Sequence, residues 1–496
     1  MSSTTTDATA TGTGPAFGAP YGVSHWPDID AIQKASFELV HGPRPHLGEA
    51  RMAEVEAWFD ENCPTSKANG ELAKQRIPGG VQHNLAFNKP FPIEVTKAEG
   101  AHLTDVDGNV YIDFIQAGGP TVLGSNYAPV REKVFELLES CGPVTGLYHE
   151  AELKLANIIH DFMPSIDLFR MLGSGTEAVM ASLRAARAFT GKPQIIKVGG
   201  HYHGWSDPLV YGLRLPGTAN LDAAGIAPGA LADISEVWPD DLDALRAAFV
   251  ANEERGGTAA VIVEPFGGES GVHPVRLDYN HHVQELCQEF GALLIFDEVV
   301  TGFRTGPGGA QGFFGIAPDL TVFGKCVGGG YPAAGGVGGR QEVMSVFGAG
   351  IGGSGVRALV GGTLSANPLS CTAGYWTLVE LERTGAAVIA GRAADRLSTG
   401  LQGLIDKHGL PFVTYNLGSI VHLHTSGILQ LDIREPDAFG EVGPRKEALE
   451  DFGAAFTAAG IITLAGSRLY TSMADTDEVI DDAIARFDRA FEGVVV

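Results

Sequence analysis

Between about residues 120 and 340 the chain alternates short, nearly unbroken apolar runs with longer stretches whose apolar residues recur every three to four positions. The apolar runs are QIIKVGG (194–200), AAVIVEP (259–265), ALLIFDEV (292–299) and DLTVFGK (319–325). Runs of this length without polar alternation predict strands buried on both faces, and the helical stretches between them predict a parallel sheet covered by helices. Upstream, ARMAEVEAWFDENC (50–63) carries a period near 3.6, and 27–77 reads as helical. GAHLTDVDGNVYIDF (100–114) predicts a hairpin turning at Asp107-Gly108. After residue 366 the helical pattern resumes, and GSIVHLHTS and IITLAGSRLYTS follow as strands of a smaller lobe. The expected organisation is a disordered tail over 1–20, helices and a small-domain hairpin over 21–115, a large domain over 116–365 and a C-terminal small domain over 366–496.

Ligands of such α/β sheets bind at the carboxyl ends of the strands. Ionisable residues fall at those ends: Glu264 after AAVIV, Asp297 and Glu298 after ALLIF, Lys325 after DLTVFG. Composition narrows the partners. A net charge of −25 disfavours nucleic acid and anionic membranes. Five scattered cysteines without a CxxC pair point to reduced thiols and a cytoplasmic location. No apolar run reaches the ~18 residues of a membrane span, and the N-terminus lacks the basic start and apolar core of a secretory signal. At 496 residues the chain exceeds one ordinary core.

MLGSGTEAVMASLRAARAFTG (171–191) joins a loop to a helix, with Ser174, Gly175 and Thr176 at its start. Free N–H groups and the positive dipole end make that position an anion site, and it is equally an ordinary helix cap. Gly173, Gly175 and Ala178 also spell the dinucleotide fingerprint G-x-G-x-x-A. That motif requires an acidic residue at the end of the next strand, where this chain has IIKVGGHYHG, so a nicotinamide cofactor is disfavoured. His201 and His203 lack a third ligand at a familiar metal spacing, and no metal is expected. Tyr202 between them suits stacking on a flat ring. A carboxylate ending a buried strand, Asp297, needs a partner, and a protonated pyridine nitrogen is one. Val299, two positions on, faces the same side and packs under that ring. A desolvated lysine beside an aldehyde forms a Schiff base, which gives Lys325 a use. Pyridoxal phosphate combines aldehyde, pyridine nitrogen and phosphate.

Together, GSGTEA, HYHG, IFDEVVTGFR, PDLTVFGKCVGGGYP and GGTLSANP resemble the class III aminotransferases that use pyridoxal 5'-phosphate, over about residues 78–490. The nearest look is to glutamate-1-semialdehyde aminomutase and to β-amino-acid aminotransferases. The resemblance implies fold type I: a large domain with a mostly parallel sheet plus a smaller α+β domain built from both chain ends. It implies Lys325 as the Schiff-base lysine, Asp297 on the pyridinium nitrogen, Tyr202 stacked on the ring, and Ser174, Gly175 and Thr176 on the phosphate. His203 and Val299 join the cofactor-binding set, Glu269 lies near cofactor and substrate, and His83 is a substrate-side candidate with Asn84, Tyr148 and His149. It further implies a homodimer in which Thr363 reaches the phosphate of the other subunit. IPGGVQHNLAF (77–87) departs from the aminomutase pattern by lacking Asn-Ser-Pro-Val-Arg. LAGSRLYTS matches the arginine strand of ordinary class III aminotransferases, where the arginine matched by Arg468 binds an α-carboxylate or pairs with the glutamate matched by Glu269. The expected activity is amino transfer from a glutamate-like donor to a keto or aldehyde acceptor. The alternatives are an intramolecular aminomutase, an epimerase, a decarboxylase or a non-catalytic dimer.

Overall fold

A computed structural model describes residues 14–86, 88–144, 146–218, 224–348 and 355–496. Its centre is a seven-stranded sheet: β1 (Leu168–Leu172), β2 (Gln194–Val198), β3 (Ile234–Val237), β4 (Thr258–Val263), β5 (Leu293–Asp297), β6 (Leu320–Gly324) and β7 (Gly335–Gly339). Their spatial order is β1-β7-β6-β5-β4-β2-β3. All are parallel except β7, which pairs antiparallel with β6 on one side and β1 on the other. The four apolar runs thus form β2, β4, β5 and β6, with ends shifted by one or two residues. Helices Gly175–Thr190, Leu242–Glu253 and Tyr279–Phe290 cover the sheet, and its faces are dry: every residue of β2, β4, β5 and β6 is buried.

β7 reads GGVGG. A β-carbon on Gly335 would lie 2.1 Å from the Ser174 carbonyl oxygen, and one on Gly339 would lie 2.3 Å from the Asp319 carbonyl oxygen. Only a strand with almost no side chains fits between β1 and β6 at this spacing.

The smaller lobe draws on both chain ends, as expected. Val95–Glu99, His102–Asp105 and Val110–Asp113 form an antiparallel ribbon, and Ile461–Ile462 adds to it in parallel, Ile461 opposite Ile112. One core then joins Val55 and Phe59 of helix Glu49–Asn62 to Leu397, Phe452 and Phe487. A second antiparallel sheet, ordered Val413–Leu417, Ile420–His424 and Arg468–Tyr470, carries Arg468 opposite His422.

Residues 1–13 of the expected disordered tail lie outside the described residues. The rest of that stretch lies against the large domain. Ala16 N donates to Phe313 O at 2.8 Å, and the Phe17 ring packs edge-on to Phe313 at 5.3 Å. No helix among the described residues is long and apolar enough to cross a membrane.

Candidate active site

Because β1, β2, β4, β5 and β6 run parallel, the residues that follow them gather at one edge of the sheet. Two joined cavities open there, one of about 360 Å³ bordered by Ser174, Thr176, Tyr202, Asp297, Val299 and Lys325. The other, of about 1060 Å³, shares Tyr202, Asp297, Val299 and Lys325 and adds Arg214, Glu264, Glu269 and Arg468.

Lys325 opens a short 3₁₀ turn directly after β6, with φ +46°. A residue with a β-carbon pays about 1 kcal/mol for that conformation, which here turns the side chain off the strand and into the cavity. Burial lowers the Lys325 amine below its ordinary range, and the nearby Asp297 charge offsets this only in part. The amine is thereby closer to the neutral form that a nucleophile or base requires.

Asp297 is the last residue of β5. Its Oδ2 meets His203 Nδ1 at 2.7 Å, and its Oδ1 accepts from Val299 N at 3.1 Å. Burial pushes His203 below the usual imidazole range although Asp297 acts against it. His203 thus orients the carboxylate. Glu298, the next residue, faces away and accepts from Ala310 N at 2.6 Å and Gln311 N at 3.0 Å, capping helix Gly309–Phe314. Of the adjacent carboxylates, only Asp297 reaches the cavity, as alternation along a strand requires.

The anion cradle follows β1. Ser174 caps helix Gly175–Thr190, its Oγ accepting from Glu177 N at 3.2 Å, and it borders the smaller cavity. The approach is close on every side. A β-carbon on Gly175 would lie 2.9 Å from Val299 Cγ2, and one on Gly204 only 2.4 Å from Thr176 Oγ1. Val299 also walls in Gly324, whose β-carbon would stand 3.0 Å from Val299 Cγ1.

Behind this floor, His201 Nδ1 accepts from Glu264 N at 2.9 Å, so His201 faces the structure rather than the cavity. Glu264 gathers Tyr202 N at 2.8 Å, Glu269 N at 2.7 Å and Ser270 N at 2.6 Å. Burial, and after it the charge of Asp297, pushes the Glu264 carboxyl up to about 8 against the pull of these donors. Its bonds fix both Tyr202 and the turn at Glu269–Ser270, whose φ values are +44° and +55°.

On the substrate side, Arg468 Nη2 donates to Glu269 Oε2 at 3.0 Å, and Arg214 Nε donates to Glu269 Oε1 at 3.0 Å. Burial opposes ionisation of Glu269, yet the two guanidiniums outweigh it and hold the carboxyl down to about 2. His83 and Asn84 line the larger cavity, with His83 Nδ1 accepting from Leu85 N at 3.1 Å. Tyr148 and His149 do not line either cavity. His149 instead caps helix Glu150–Phe162 through Ala151 N. Thr363 is exposed and outside the lining of both cavities. Arg214 was not among the expected residues. It lies between strands, and its approach to Glu269 is a tertiary contact with no local pattern.

The fit to a flat, phosphorylated aldehyde can be judged from these contacts. Hydroxyls and amide donors sit at a helix start, glycines stand where a β-carbon would close the space, and a buried carboxylate and an amine border the same cavity. The residues fit pyridoxal phosphate.

The family model described as Aminotransferase class-III matches residues 86–490. A curated relative, the glutamate-1-semialdehyde 2,1-aminomutase of Chlorobium limicola, is 39% identical over 358 residues, which is 71% of this chain and 81% of the relative. Among solved structures, an omega-transaminase from Sphaerobacter thermophilus superposes with a TM-score of 0.77 at 28% identity, covering 88% of this chain and 98% of that one. A β-phenylalanine aminotransferase from Variovorax paradoxus gives 0.75 at 29%, covering 89% and 96%. The expectations of fold type I and of pyridoxal 5'-phosphate as the cofactor stand, and the chain belongs to the class III family of pyridoxal-phosphate-dependent aminotransferases.

Proposed function

We propose that this chain is an aminotransferase that takes an amino group from a glutamate-like donor and delivers it to a keto or aldehyde acceptor. The observation that carries this reading is the Arg468–Glu269 pair at 3.0 Å, facing the cavity that holds Lys325. An arginine with an internal carboxylate partner can take a substrate carboxylate in one half-reaction and return to its partner in the other.

When bound, pyridoxal phosphate supplies an electrophilic aldehyde carbon and an electron-withdrawing pyridinium ring. Ser174, Gly175 and Thr176 would hold its phosphate with hydroxyls and helix-start amides. Asp297, anchored by His203, would hold the protonated ring nitrogen, with Tyr202 and Val299 against the ring. The Lys325 amine would take the proton from the substrate carbon that bears the amino group and hold it for return. Arg468 orients the substrate carboxylate, and Glu269 shields that arginine when no carboxylate is present. His83, on the wall of the larger cavity, goes with the substrate side of this reading. The same proposal includes a homodimer with Thr363 reaching the partner's phosphate, a cytoplasmic location, and the division at 115/116 and 365/366.

A second reading, the intramolecular aminomutase, draws on the curated relative at 39% identity and would use the same residues without a second substrate. The test is to mix holoenzyme with L-glutamate and quantify 2-oxoglutarate. Release of about one equivalent, with loss of the cofactor's visible band, supports amino transfer. An unchanged band and no oxo acid overturn it.

Two substitutions probe the parts separately. Arg468→Gln is expected to lower kcat/KM for glutamate about a hundredfold, the worth of a lost charge-assisted pair, with kcat for carboxylate-free amines changed far less. Steady-state kinetics on both substrates checks this. Gly204→Ala would drive a methyl into Thr176, at 2.4 Å from Oγ1 and 2.9 Å from Cα, at a φ of +84°. It is expected to weaken cofactor binding about tenfold, read by titrating pyridoxal phosphate into apoprotein.

A further inference from the structure

Arg214 stands in the loop after Tyr202 and has φ +64°, a left-handed conformation that side chains disfavour. Main-chain contacts hold it there. Its N donates to Gly200 O at 3.3 Å, and its carbonyl meets His273 Nε2 at 2.6 Å. The backbone therefore fixes where the side chain leaves the chain, and from there the guanidinium reaches Glu269 Oε1. The Arg468 guanidinium has a second anchor, because its Nη1 donates to the main-chain carbonyl of Glu269. That contact survives any rotation of the Glu269 side chain, since Glu264 pins the turn through Glu269 N and Ser270 N. Arg468 Nε is moreover buried and without a hydrogen-bond partner. The Arg214 side chain is half exposed and borders the same cavity as Lys325.

Two guanidiniums thus converge on the two oxygens of one carboxylate. We propose that Arg214 is a specificity-determining residue which, with Arg468, forms a two-guanidinium receptor that takes a substrate carboxylate in the position now held by the Glu269 side chain. The favoured substrates are amino acids and oxo acids, preferred over amines that carry no carboxylate. This rests on the reading of Arg468 as the carboxylate-binding arginine and extends it to a residue on the opposite lobe.

The test is calorimetric titration of the holoenzyme with glutarate, an unreactive dicarboxylate that binds without turnover. Arg214→Gln is expected to weaken glutarate binding about ten- to a hundredfold, with Arg214→Lys between it and the wild type because charge remains and the planar fork is lost. The kcat/KM preference for glutamate over a carboxylate-free amine of similar size falls by the same factor. Thermal unfolding of each variant is compared with the wild type to show that it folds. Unchanged glutarate affinity in a folded Arg214→Gln, or an equal loss for glutamate and the amine, overturns the proposal. If the wild type forms no oxo acid from glutamate, the transaminase reading falls, and the glutarate titration still decides for or against Arg214.

Discussion

Alanine at position 325 is expected to lower turnover about a thousandfold or more while leaving a folded protein. Lys325 carries two tasks in the proposed reaction: it engages the cofactor aldehyde, and it moves the proton at the reacting carbon. General base catalysis alone is worth about 10²–10⁴, and no other amine borders the smaller cavity among the described residues. The fold should tolerate the change. Alanine at φ +46° bears the same backbone cost that lysine already bears, and removing a partly desolvated amine relieves the burial that depresses its pKa. Single-turnover kinetics with glutamate reads the loss, and thermal unfolding reads the fold. Turnover near the wild-type rate would remove Lys325 from the mechanism.

Asp297→Asn is expected to lower kcat about a hundred- to a thousandfold, the scale of losing one preorganised charge next to a reacting ring. The amide has nearly the same shape, so the contact with Val299 N can persist. What changes is the charge, and with it the reason for His203 to stand 2.7 Å away. Cofactor affinity should fall along with kcat. A variant that binds the cofactor as tightly as the wild type and turns over within twofold of it would separate Asp297 from the ring nitrogen.

Much of this site was legible because its residues sit at the ends of recognisable strands. VIVE, LIFD and VFGK each place one ionisable side chain just where a buried apolar run stops, and β4, β5 and β6 are adjacent in the sheet. The GSG stretch was legible as a helix start after a loop. Four features were not. β7 is glycine-rich, and glycine has little intrinsic strand preference, so GGVGG carries no strand pattern of its own. Its strand character comes from β1 and β6 on either side. β3, ISEV, carries polar Ser235 and Glu236 and gave no apolar run. Arg214 left no local signal, since its role depends on a left-handed backbone and on a carboxylate 55 residues away. The pairing of Asp297 with His203 was likewise invisible, because HYHG reads first as a possible metal pair. Its second histidine is spent on orienting a carboxylate.

The position of β7 also sets when the site can first exist. Among the described residues β1 pairs only with β7, and the two are separated by roughly 170 residues of chain. The strands β2 to β6 can pair with one another as they emerge from the ribosome, whereas β1 waits for the glycine strand. At about 5–20 residues per second of synthesis, that wait is about 10–30 s. Throughout it, Ser174 and Thr176 follow a strand with no neighbour, and Lys325 emerges before the cradle it must face is anchored. The nascent chain therefore acquires the proposed cofactor cradle only after the last strand of the sheet has been made.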